Sequence, residues 1–165
     1  MRRLVSIPVL VIAVIAQITI FSRLKIMGGT ADVVLLVLIA WAMQEQSEGV
    51  LVWGALGGSF VTMASSMPLY FPFFGYLGII AIVWFLRRQV WQSPIIAMVF
   101  VTFISTFLFH LASILVLKIT DVDIPIVFSI THVTIPSVIL NLILAIPIYT
   151  MMRDLSIFLY PPEVA

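Results

Sequence analysis

Two histidines, seven carboxylates and no cysteine are all the side-chain metal ligands this chain carries. The histidine best placed for chemistry is His110, on a stripe with Thr102, Thr106 and Ser113 at helical spacing inside a long apolar run. Such a stripe reads as a polar pathway or ligand contact, or else as a neutral imidazole hydrogen-bonded to a neighbouring helix. His132 stands beside Thr131 and Thr134 near a surface, and two histidines without a paired carboxylate make a poor metal site. Asp32 falls in the first turn of an apolar helix, where the positive helix end satisfies a carboxylate and competes with any functional role for it. Asn141 and Gln17 lie within apolar segments and suit hydrogen bonds across helices. There is no phosphate-cradling loop, nucleophile elbow or zinc signature. The expectation is therefore no catalytic residue, no cofactor and no metal centre, in a protein that acts by contact.

The elements that must position these residues are apolar. With 63% hydrophobic and 9% charged residues and a mean hydropathy of +1.27, the chain lies outside the range of soluble domains and reads as an integral membrane protein. A formal charge of +1 provides no basic field for a nucleic-acid partner. From Gly49 to Leu86 no residue is charged, and as one helix that stretch would run roughly 57 Å against a hydrocarbon core of ~30 Å. The segment Ser65-Ser66-Met67-Pro68-Leu69-Tyr70-Phe71-Pro72 breaks it with turn chemistry, so it reads as a transmembrane hairpin. The whole chain, 1–165, becomes one all-α domain, a bundle of six transmembrane helices with spans near 4–21, 30–44, 49–66, 75–86, 93–117 and 132–152. Thr30 reads as the N-cap of the second span. Ser93-Pro94 starts the fifth with an N-cap and a proline at the first helical position, a short kinked piece over 124–131 precedes the sixth, and Arg153-Asp154 ends it.

Gly54, Gly58, Thr62 and Ser66 recur every four residues along the third span, a nearly bare face that accepts a neighbouring backbone, either within the bundle or from a partner. Six spans put Arg2, Arg3, Arg87, Arg88 and Arg153 on one side and Arg23, Lys25 and Lys118 on the other, so both termini are expected in the cytoplasm. Trp41, Trp53, Trp84 and Trp91 fall near helix ends at that same face, as an interfacial belt would.

Several segments together resemble the bacterial rod shape-determining protein MreD family. They are Ala31-Asp32-Val33-Val34-Leu35-Leu36, the glycine-rich third span, and Pro136-Ser137-Val138-Ile139-Leu140-Asn141 running on to Pro147. In that family the second helix opens Pro-Asp-Leu-Leu-Leu, so Asp32 matches while Ala31 replaces the proline. Gly54 and Gly58 match the third helix, Thr62 stands where an aspartate is common, and Asn141 and Pro147 match the close. The resemblance implies a multi-pass subunit of the bacterial plasma membrane, in contact with membrane lipid. It also implies a non-enzymatic role in lateral peptidoglycan synthesis, with an MreC-like protein, a RodA-like glycosyltransferase, a class B penicillin-binding transpeptidase and an MreB-like filament as partners. It further implies a six-helix arrangement similar to the S components of energy-coupling-factor transporters. The alternative function is therefore a vitamin- or metal-binding S component, whose pocket near the outer face His110, Thr106, Asp121 and Asp123 would line.

Overall fold

The structure is a computed structural model that describes residues 5–45, 47–68, 70–86 and 93–161. Its regular elements are α1 (Ser6–Phe21), α2 (Val33–Ala42), α3 (Val50–Ala64), α4 (Phe71–Leu86), α5 (Pro94–Ile119) and α6 (Ile126–Leu159). Apart from one bridge between Ile26 and Gly29, the described residues form no β pairing. At 26 and 34 residues, α5 and α6 are long and apolar enough to cross a membrane, while the other four helices are apolar but shorter. The exteriors of α1, α5 and α6 expose Ile12, Ile96, Phe100 and Ile143, side chains that a soluble domain would bury.

α2 is the axis of the bundle. All ten of its residues are buried, and it touches each of the other five helices. At ~1.5 Å per residue it is only about 15 Å long, half a hydrocarbon core. It is shorter than the expected 30–44 because residues 26–29 fold into a tight turn, with Met27 at φ 58°, and residues 30–32 are not yet helical. The N-cap is Asp32, not Thr30.

α3 and α4 form an antiparallel hairpin held by glycines. A Cβ placed on Gly58 would lie 2.9 Å from Phe73 Cα and 3.0 Å from its carbonyl oxygen, and Gly54 faces Ile80 and Leu77. Gly57, which the four-residue stripe omitted, faces Leu38 of α2 at 2.9 Å. The stripe ends at Thr62, whose hydroxyl donates back to the Gly58 carbonyl at 2.7 Å; Ser66 lies beyond the helix and is exposed. Gly58→Leu should separate the hairpin, since the obstructing atoms are backbone. Against Leu51→Ala, a change on an exposed face, it should lower the detergent melting temperature by several degrees; equal melting would remove Gly58 as a packing position.

Four further expectations differ from the fold. α4 starts at Phe71 rather than Gly75, with Pro72 in its first turn, where no intrahelical N–H is needed. α6 is continuous from Ile126 to Leu159 rather than a short piece followed by a helix over 132–152. A widened π-type segment over Ile130–Thr134 absorbs Pro136, which has no N–H to give the His132 carbonyl. Arg153-Asp154 does not end α6, because both side chains project outward and pair at 3.2 Å. Trp41 and Trp53 are not an interfacial belt: they stack inside the bundle, ring centroids 4.4 Å apart and 16° from parallel, because the end of an enclosed helix reaches no lipid. Arg2, Arg3, Arg87, Arg88 and Trp91 lie outside the described residues.

Candidate functional site

A helix start leaves its first backbone N–H groups without intrahelical partners, and α2 starts where the bundle surrounds it. Side chains from two other helices meet that need. Asp32 caps the helix by accepting from the Leu35 N–H at 3.0 Å. Gln17 of α1 accepts from the Val34 N–H through Oε1 at 2.9 Å. From α6, Asn141 Oδ1 accepts from the Asp32 N–H at 2.8 Å, and Ser137 Oγ accepts from the Thr30 N–H at 3.0 Å. Asn141 is fully buried and spends its amide as well, donating to Thr106 Oγ1 of α5 at 3.0 Å. Tyr76 of α4 completes the knot, its O–H donating to Asp32 Oδ2 at 2.5 Å.

The turn before α2 is seated by glycine. A Cβ on Gly29 would lie 2.5 Å from the Ser137 nitrogen and 2.8 Å from the Val133 carbonyl oxygen; one on Gly28 would lie 3.0 Å from the His132 carbonyl oxygen. These atoms belong to the widened turn of α6 and the residues just after it, so backbone meets backbone there.

Beside the knot is a cavity of about 390 Å³. Gln17, Thr30, Asp32, Tyr76 and His110, with Ser22 and Ser65, provide its polar lining, and Val14, Val61, Met67, Pro72 and Phe109 most of its apolar lining. Phe109 also packs edge-on to Tyr76, ring centroids 5.0 Å apart. His110 takes part in no hydrogen bond among the described residues, so it is not the interhelical tie that one reading of its stripe anticipated. The stripe itself divides. Thr106 serves Asn141, Ser113 bonds back to the Phe109 carbonyl, and Thr102 is buried without a hydrogen-bond partner for its hydroxyl among the described residues. His132 lies elsewhere, exposed, stacked on Phe128 and bonded to Thr131.

The structure thus brings together Asp32 and Asn141, sets His110 at the adjoining cavity, and keeps Gly54 and Gly58 in the α3–α4 hairpin. Sequence reasoning found no convergent ionisable groups; three converge here, Asp32, Tyr76 and His110. It missed Tyr76, Ser137 and the Gly28-Gly29 turn. A glycine pair just before a polar helix start was the one local signal for the turn, and Tyr76 had none. Among the described residues no three histidine or carboxylate side chains gather as a metal site.

What the fold and site define is an all-helical apolar bundle whose half-length central helix is capped by its neighbours' side chains. No protein-family model, characterised protein or solved structure matches the chain.

Proposed function

We propose that this protein is a non-enzymatic, multi-pass subunit of the bacterial plasma membrane. In this reading it belongs to the cell-elongation machinery, binding an MreC-like protein and, through it, the lateral-wall synthase. The observation that carries the reading is the meeting of Asp32 and Asn141. These residues carry the resemblance to the MreD family, stand 109 positions apart, and join at 2.8 Å to hold the central helix. A scaffold needs such residues to build a rigid body, and its outer apolar faces to meet other membrane helices. Gly54 and Gly58 are occupied inside the hairpin, so partner contact falls to the outer faces of α1, α5 and α6. The test is depletion in the native bacterium with pull-down from detergent. Rounded cells and recovery of an MreC-like partner are expected; unchanged rods and no such partner would overturn the proposal.

In this reading the chain crosses the bilayer six times, the half-length α2 doing so together with the segments that flank it, and both termini are cytoplasmic, as the distribution of basic residues supports. Single cysteines at Glu48 and Asp154, both exposed, should then be shielded from an impermeant thiol reagent in intact cells, and cysteines at exposed Lys25 and Asp123 should react. The reverse pattern would invert the orientation, and mixed labelling within a pair would change the span count.

One observation favours the second reading, a transporter S component: His110 borders a cavity of ligand size. Thr106, Asp121 and Asp123, which that reading places around the ligand, do not line it. A vitamin-uptake defect on depletion, with normal cell shape, would decide for the transporter.

A further inference from the structure

The cavity beside the α2 start has the size and the mixed polar and apolar lining of a small-molecule site. Its volume of about 390 Å³ falls in the range of roughly 300–1,000 Å³ typical of such pockets. Its lining combines aliphatic and aromatic side chains, among them Val14, Val61, Pro72 and Phe109, with the polar side chains of Asp32, His110 and Gln17.

The charge of the lining selects the ligand. Among the described residues Asp32 is the only acidic one in the lining, and no lysine or arginine lines it, so an anionic head would find no cation there. The α2 dipole contributes roughly +0.5 of a charge at its N-terminus, which leaves a net negative balance against an ionised Asp32. Asp32 Oδ1 accepts from the Leu35 N–H and Oδ2 from the Tyr76 O–H, yet each carboxylate oxygen has acceptor capacity to spare, and the residue is only partly covered. His110 adds a ring that no group among the described residues engages. A metal ion would need more ligands than one carboxylate and one imidazole, so the complementary cation is organic.

We propose that this cavity binds a small amphipathic amine, its protonated amino group against Asp32 and His110 and its apolar body against Val61, Pro72 and Phe109. The site does not depend on the elongation reading. Its failure would leave co-purification with an MreC-like protein untouched, and the converse also holds.

The test uses the full-length protein in detergent micelles, with phenethylamine, phenethyl alcohol and phenylacetate as probes of one shape and three charges, measured by equilibrium dialysis. Phenethylamine should bind saturably and at least tenfold tighter than phenylacetate. Val61→Trp, which fills the cavity from its lining, should weaken the amine at least tenfold, and His110→Leu should weaken it several-fold. Asp32→Asn keeps a capping oxygen and should cost the amine much more than the alcohol. Should that variant fail to fold, Val61→Trp and His110→Leu still decide, with thermal melts confirming an intact bundle. Equal binding of phenethylamine and phenylacetate, or full amine affinity in V61W, would overturn the proposal. If phosphatidylethanolamine displaces the probe and phosphatidylcholine does not, the natural amine is a lipid headgroup; if neither displaces it, the amine is a free solute.

Discussion

Gly29→Ala should cost this protein about 3 kcal/mol or more of stability, the largest effect expected of any single added methyl group in the chain. The new Cβ would sit 2.5 Å from the Ser137 nitrogen and 2.8 Å from both Pro136 Cβ and the Val133 carbonyl oxygen. Most of these atoms are backbone of α6 and cannot rotate away, so the turn at 26–29 must lift off the helix. Lifting it strains the Thr30 N–H to Ser137 bond and then the α2 start behind it. The control is Gly78→Ala. Gly78 is exposed, a Cβ there meets nothing within 4 Å, and the change should stay within about 0.5 kcal/mol. Detergent unfolding of the two variants is the measurement, and equal stabilities would show that the turn does not rest on α6 as described.

Asn141→Leu should cost about 2–4 kcal/mol, while keeping the branched shape of the side chain. Leucine has the same branching with bulkier ends and offers no hydrogen bond, which leaves the Asp32 N–H without its acceptor and Thr106 Oγ1 without its donor. Leaving a buried polar group unsatisfied costs ~1–3 kcal/mol, and here two groups lose their partner at once. Thr106→Val removes only the weaker side of the network, and should cost about 1 kcal/mol or less. Because both act on one network, the double variant should be little worse than Asn141→Leu alone. Additive losses in unfolding experiments would mean that Asn141 and Thr106 are not coupled.

The two predictions fall on residues of very different legibility. Asn141 announces itself, since an amide in an apolar run of helical length needs a partner, and interhelical bonding follows from that alone. Gly29 does not. Its neighbour Gly28 and the connector around it look like any short link until α6 is laid against it. The same contrast separates Pro94, whose place at the first position of α5 can be read locally, from Pro136, which local rules would set near a helix start. The widened turn over Ile130–Thr134 carries α6 past it. The tryptophans show the limit of a compositional rule. Trp41 and Trp53 lie at one end of the bundle, but at the end of an enclosed helix, so they stack on each other instead of reaching lipid.

By itself the sequence determined an all-helical, strongly apolar chain, the approximate course of its helices, and the presence of small-residue faces and isolated polar groups that require partners. Hydropathy and helical periodicity are local properties, summed over windows of one span, and they survive without knowledge of neighbours. Only the tertiary structure decided that α2 is half-length and central, that Gln17, Ser137 and Asn141 serve its start, and that Tyr76 and His110 meet Asp32 at one cavity. The bonds from α6 to this start join residues more than a hundred positions apart, and no local pattern encodes them. They arise because a helix that begins inside a bundle must find, on whichever helices surround it, acceptors for N–H groups that its own backbone cannot satisfy.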